Sequence, residues 1–310
     1  KTLFQLVKEP YQVNPNNSLV AFCDNSSAIY GYNMDCLFEN NDSMHLGECL
    51  SHFAFTAETH NYPTCIEPFQ GATTGIGGRI RDNLAIGRGG SLIASTAGYC
   101  VGEILNKSSM GSVLKNNRSL EILIEASNGA SDYGNKVGEP IIQGFTRSFK
   151  YGDREWLKPI MFTGGIGQVL DKNIKKQKPT EEMVVVRIGG LAYKIGMGGG
   201  SSSSCENNTE KDDLSSVQRG DAEMANKVYR VIRRLSMMEN NPIQSIHDQG
   251  AGGMGNVTKE IVSPMGGIIS LDEVLLGDKT MNALEIWGAE YQEQVTILVN
   301  QSDMNIIKTV

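Results

Sequence analysis

Histidine is scarce, with four residues in 310, and tryptophan scarcer, with two. The six cysteines form no CxxC pair, which argues against a zinc knuckle. The expectation for Cys23, Cys36, Cys49, Cys65, Cys100 and Cys205 is reduced thiols in a cytoplasmic protein. No run reaches the apolar length that spans a bilayer. Residues 1–7 lack the apolar core of a secretory signal. Basic residues number 28 against 35 acidic, a net charge of −7, so there is no basic stripe for nucleic acid. No fixed-period repeat is present, which argues against a solenoid. An initial methionine is missing and the chain stops soon after a strand-like run, so it reads as a piece of something longer.

What is present fits two domains with a real core, 40 % of the residues being hydrophobic. Short apolar runs at 18–23, 54–57, 183–188, 243–247 and 294–300 predict strands, and 119–126 alternates weakly as a strand would. The clearest helix is 221–238. Asp221 can cap it, and Met224, Val228, Val231, Leu235 and Met238 recur every three or four residues. A short helix is expected at 256–262, and Ser302 or Asp303 opens a last one. The polar, Lys-rich run 171–180 contains Pro179 and marks a boundary between domains 1–178 and 179–310.

Glycine, at 35 residues, is in excess and clusters in short runs. The first run reads Gly71, Ala72, Thr73, Thr74, Gly75, Ile76, Gly77, Gly78, Arg79, Ile80, Arg81, Asp82, and follows Glu58, Thr59, His60, Asn61, Tyr62 and Pro63. A turn here would expose several amides to one anion. Arg79 and Arg81 add positive charge for phosphate oxygens. Glu58 and Asp82 offer the hard oxygen ligands magnesium needs, and His60 can move a proton. No Gly-Lys-Ser/Thr follows, so this is not a Walker A loop. The plainer alternative is a glycine-rich turn with surface arginines.

The second run, Gly189 and Gly190 followed by 196–204, suits a phosphate or is a flexible linker. Asp248, ahead of Gly250, Ala251, Gly252 and Gly253, can bind a metal or cap the next helix, while His247 reads as a packed core residue. Glu290 and Gln292 share a side if the last strand begins early; they can hold a ribose hydroxyl or lie at a solvated edge. Residues 125–140, with Asn128, Ser131, Asp132 and Asn135, suit a long ordered loop. Phe145 either stacks on a base or fills the core.

Seven strings, at 55–63, 71–82, 124–140, 158–167, 216–221, 247–253 and 283–293, run in order along nearly the whole chain. Together they resemble the phosphoribosylformylglycinamidine synthase family in its long, single-chain, eukaryotic form. Thr56, Tyr62 and Tyr291 stand where bacterial relatives usually carry lysine, histidine and serine. The resemblance implies an α+β fold like that of aminoimidazole ribonucleotide synthetase. An N-terminal domain would pair its sheet into a barrel across a dimer or pseudo-dimer, and a C-terminal α/β domain would follow. This chain would be the first of two synthetase halves, with a glutaminase domain elsewhere in the same long protein, or the piece would form a homodimer.

The same resemblance implies ATP and Mg2+ as cofactors and formylglycinamide ribonucleotide as substrate. The amide oxygen would attack the γ-phosphate, and ammonia would displace the phosphorylated oxygen to leave the amidine. Carried over by position, His60 is the catalytic proton acceptor, and Glu58, Asp82 and Asp248 are metal ligands. Residues 71–82 with Gln143, Gly144 and Phe145 contact the nucleotide. Thr59, Asn61, Arg81, Gln218, Glu290 and Gln292 contact the substrate. No cysteine sits in the glycine-flanked elbow of a glutaminase nucleophile, so ammonia would come from outside this chain. The alternative within the resemblance is a non-catalytic half that holds ADP and Mg2+ structurally.

Overall fold

The structure, a computed structural model, describes residues 1–40, 43–104, 118–156, 158–202 and 214–310. Ser203, Ser204 and Cys205 lie outside the described residues. In chain order come α1 (Leu3–Val13), β1 (Ser18–Val20), β2 (Ser27–Asn40), β3 (Ser43–Thr59), α2 (Asn61–Ile66), α3 (Pro68–Leu84), β4 (Ser91–Val101) and α4 (Arg118–Val137). Strands β5 (Ile141–Ser148), β6 (Lys150–Tyr151), β7 (Arg154–Glu155) and β8 (Ile160–Leu170) follow. Six of these strands form one sheet, in the order β1-β2-β3-β8-β4-β5, and β6 pairs with β7. Neighbours in the large sheet are antiparallel except β4 and β5. A parallel pair needs a long crossover, and α4 lies within it.

One face of that sheet is covered and the other is open. Ile76, Ile80 and Leu84 of α3 and Ala126, Ala130, Tyr133 and Val137 of α4 pack on Ala97, Tyr99 and Met161 of the sheet. Along β8, Met161, Thr163 and Val169 are buried while Ile166 is exposed, the period-two pattern of a sheet with one wet face.

The C-terminal part holds β9 (Met183–Gly189), α5 (Gly199–Ser202), α6 (Ala222–Met237), β10 (Ile243–Asp248), α7 (Gly253–Ile261), α8 (Ala283–Gly288), β11 (Gln294–Asn300) and α9 (Met304–Thr309). Its antiparallel sheet has the order β10-β11-β9. The apolar stripe of α6, Val228, Ile232 and Leu235, lies against Ile243, Ile246, Val295, Ile297 and Val299. Ala85, at the end of α3, joins this cluster, so the two parts share packing. The Asp221 side chain accepts from the Met224 N–H at 3.0 Å and caps α6 as expected. Among the described residues no helix is long and apolar enough to cross a membrane.

Three local expectations are corrected. Residues 119–126, expected as a strand, and most of 125–140, expected as a loop, form the single helix α4. The glycine run 71–82, expected as a turn, is the interior of α3. Each glycine costs a helix about 1 kcal/mol relative to alanine, so the composition points away from helix. Tertiary packing overrides that preference, because the glycines sit where other groups cross closely. A Cβ at Gly75 would lie 2.9 Å from the His60 Cβ, and one at Gly77 would lie 2.8 Å from the Tyr133 hydroxyl. The third correction concerns the thiols. Cys36 and Cys49 lie diagonally across the β2–β3 hairpin, Cys36 opposite Gly47 and Cys49 opposite Met34, with Cα atoms 6.1 Å apart, and are joined as a disulfide that leaves out Cys23, Cys65 and Cys100.

Candidate functional site

A cavity of about 450 Å3 lies between the two parts. Glu58 and Thr59 reach it from the end of β3, His60 and Asn61 from the start of α2, and Thr74, Gly75, Gly78, Arg81 and Asp82 from one face of α3. Asp248, at the carboxyl end of β10, faces them with Gly199, Gly200, Gln218 and Glu290. Strand ends and helix starts meet here, the common location of ligand sites in α/β arrangements.

The three carboxylates share one field. Burial, the charge of Asp248 and that of Glu58 hold the Asp82 carboxyl well above its ordinary range. Burial and Asp248 also raise Glu58, against the lowering effect of a hydrogen bond with Asp82. Burial raises Asp248 as well, with Arg81 working against it. Asn25 steadies the pair on either side, its Nδ2 donating to Asp248 Oδ1 at 2.8 Å and to Asp82 Oδ1 at 3.5 Å. Thr56 Oγ1 donates to Asp82 Oδ2 at 3.3 Å. Mutually raised carboxylates on a cavity wall form a surplus of hard oxygen donors, which suits Mg2+. Among the described residues no three acidic, histidine or cysteine groups already converge at ligand distance, so the protein would supply part of a coordination shell.

His60 has a defined tautomer. Its Nδ1–H donates to the Gly71 carbonyl at 2.5 Å, which leaves Nε2 with a free lone pair. Burial, together with Arg81, lowers its pKa to about 4, so the ring is neutral at pH 7. A neutral imidazole with an unprotonated Nε2 is a proton acceptor. Arg81 is the guanidinium of the cavity. Burial works against its charge, but Glu293 and Asp248 hold it above its ordinary value. Asn61 is partly committed elsewhere, its Oδ1 accepting from the Met161 N–H at 2.9 Å.

Glu290 is fixed by three donors: Gln218 Nε2 at 2.9 Å, the Gly252 N–H at 3.0 Å and the Gly200 N–H at 3.3 Å. The second and third glycine runs therefore both turn an amide toward this carboxylate. Gln292 Nε2 donates to Gln218 Oε1 at 2.5 Å and so orients that amide from behind. Gln292 itself does not line the cavity.

Not every expected residue reaches the cavity. Gly71, Ala72, Thr73, Ile76, Gly77, Arg79 and Ile80 lie in the buried part of α3. Arg79 makes a bidentate pair with Glu139, its Nη1 at 2.6 Å from Oε1 and its Nη2 on Oε2, both side chains fully buried. A guanidinium so occupied is a structural ion pair and not a phosphate ligand on this surface. Gln143, Gly144 and Phe145 lie exposed on the edge strand β5 and do not line the cavity. His247, expected in the core, is half-buried beside Lys176.

Sequence reasoning passed over Asn25, Tyr133, Glu139 and Glu293. Glu293 is the last residue of the run 283–293, but nothing in its spacing points to Arg81, 212 residues away. Asn25 follows a strand in an Asp-Asn pair that reads only as a turn.

Residues 45–169 match the family model described as AIR synthase related protein, N-terminal domain, and residues 180–309 match the model for the C-terminal domain. The chain is 51 % identical over its full length to phosphoribosylformylglycinamidine synthase of Dictyostelium discoideum, covering 25 % of that protein. It is 47 % identical over 99 % of its length to that of Homo sapiens, covering 24 %. The chain thus spans about a quarter of the length of the curated relatives it matches. Among solved structures, T. maritima PurL complexed with FGAR has a TM-score of 0.69 at 27 % identity, over 83 % of this chain and 39 % of that one. A chain of the HypE–HypF complex has a TM-score of 0.62 at 15 % identity, over 98 % of this chain and 88 % of that one, a likeness of fold alone. With the N- and C-terminal models in tandem over most of its length, the chain belongs to the AIR synthase related family, and it is similar to a quarter-length segment of phosphoribosylformylglycinamidine synthases.

Proposed function

We propose that this chain forms an ATP-dependent synthetase site of a phosphoribosylformylglycinamidine synthase. It would phosphorylate the amide oxygen of formylglycinamide ribonucleotide, and ammonia made elsewhere in the longer protein would displace phosphate to give the amidine. One observation carries this reading: neutral His60, guanidinium Arg81 and the carboxylates of Glu58, Asp82 and Asp248 line one cavity. The relatives' name and the FGAR-bound PurL support the choice of substrate. The proposed division into 1–178 and 179–310 sets this cavity at the junction of two domains.

Within that reading, Arg81 meets an anionic group of the substrate, and Gln218 and Glu290 present a rigid polar wall to the ribose. His60 Nε2 accepts a proton from the reacting amide or from ammonia. Glu58, Asp82 and Asp248 would hold Mg2+, with ATP oxygens and water completing its shell. The ion would offset triphosphate charge in a cavity whose charged side chains are mostly acidic. In the full-length enzyme supplied with ammonia, His60→Ala should lower kcat by about 10²–10⁴-fold while calorimetry shows ATP still bound. Unchanged ammonia-dependent turnover would remove His60 from the chemistry. A wild-type site that held nucleotide tightly and turned over nothing would mark the non-catalytic alternative.

A further inference from the structure

Arg81 is gripped from behind the cavity wall. Its Nη1 donates to Glu293 Oε2 at 2.6 Å, while its Nε lies 3.4 Å from Asp248 Oδ2. Glu293 is 1 % exposed and does not line the cavity. Its other oxygen, Oε1, accepts from the Tyr133 hydroxyl at 2.7 Å and from the Asp221 N–H at 3.3 Å. One buried carboxylate, on the segment entering β11, thus collects donors from α3, from α4 and from the cap of α6. Gly77 leaves room for this meeting, since a Cβ there would stand 2.8 Å from the Tyr133 hydroxyl and 3.3 Å from Arg81 Nη1.

A buried carboxylate is costly unless it is fully partnered, and an apolar side chain would fill the same space at lower cost. What the carboxylate adds is direction. The guanidinium is a rigid planar fork, and a hydrogen bond from Nη1 to Glu293, with the Asp248 charge beside Nε, sets the plane in which the rest of it meets a ligand. We propose that Glu293 is a positioning residue: through Arg81, and itself braced by Tyr133, it sets the orientation of the cation that receives the ribonucleotide substrate. This rests on the reading of Arg81 as a substrate contact.

The test is a double-mutant cycle in the full-length enzyme with ammonia as nitrogen source. Glu293→Gln retains Oε1 for Tyr133 and Asp221 and turns an NH2 toward Arg81. Both Glu293→Gln and Arg81→Gln should raise KM for formylglycinamide ribonucleotide about ten- to hundredfold, with KM for ATP within about twofold. The double variant should be no worse than Arg81→Gln alone. Additive losses in the double variant, or equal rises in both KM values, would overturn the positioning role. If Arg81→Gln alone leaves the ribonucleotide KM unchanged, the substrate-contact reading fails, and this proposal with it. Where Glu293→Gln does not fold, Tyr133→Phe reads the same coupling. It keeps the ring, should raise the ribonucleotide KM by a smaller factor, and should lose its effect in the Arg81→Gln background; an effect that persists there would also overturn the proposal.

Discussion

At the scale of single residues, the cavity concentrates carboxylate charge that the fold alone does not neutralise. Asp82 is hemmed in by Asp248 and Glu58, and the Arg81 cation beside it is shared with Asp248 and Glu293. Such an arrangement sacrifices stability to a function. Asp82→Asn should therefore stabilise the ion-free protein by about 1 kcal/mol in a thermal melt, while removing the rise in Tm that Mg2+ gives the wild type. The pH dependence follows from the sign of the shift. Asp82 has a folded pKa above its unfolded one, so the folded chain binds that proton more tightly. Its contribution is fully favourable below the ordinary carboxylate range and is lost as pH rises through the raised value. The advantage of Asp82→Asn over wild type should accordingly shrink as pH falls through the raised Asp82 value toward the ordinary carboxylate range. An advantage that did not shrink with falling pH would mean that the Asp82 carboxyl is not held up by its neighbours.

At the scale of elements, α3 is the axis of the molecule. One side carries Arg81 and Asp82 into the cavity, and the opposite side buries Ile76, Arg79 and Ile80 against the sheet and α4. The Arg79–Glu139 pair clamps α3 to the segment that leads from α4 into β5. Removing one member of a fully buried pair strands the other, whereas replacing both with apolar residues of similar volume is close to neutral. Arg79→Met alone should cost about 3–5 kcal/mol by denaturant melt, and Arg79→Met combined with Glu139→Leu should recover most of it. If the double variant were as unstable as the single one, the pair would be doing more than neutralising itself.

At the scale of the whole molecule, the large sheet leaves one face uncovered. Phe53, Phe145 and Ile166 are 37, 41 and 39 % exposed. The register sets Phe55 opposite Ile166, and Gly98 between Phe162 and Phe145. An apolar face of this kind beside the edge strand β5 marks an interaction surface. We propose that a second synthetase half of the longer protein occupies it, and that in the isolated chain a second copy does. The isolated chain should sediment as a dimer at tens of micromolar, and Ile166→Glu should shift it to monomer without lowering Tm. A monomeric wild type would refute this. Gln143, Gly144 and Phe145 lie on this edge, so any nucleotide contact they make belongs to the assembled face rather than to the cavity of one chain.

Much of this architecture was legible from residue order. The strands at 183–188, 243–247 and 294–300 and the helix opened by Asp221 follow from apolar periodicity and a cap, which are local properties. Glu58, His60, Arg81, Asp82 and Asp248 stood out because reactive side chains beside glycine runs and strand ends are local signals too. What folding alone decided was the environment of those groups. Arg79 and Arg81 are two residues apart on one helix, and nothing in their neighbours says which faces the cavity and which pairs with Glu139. The glycines of α3 read as a turn until His60 and Tyr133 are seen pressing on them. Glu293 finds Arg81 across 212 positions. Propensity and periodicity act over a few residues, whereas the partner of a buried charge is whichever group the packing brings within about 3 Å.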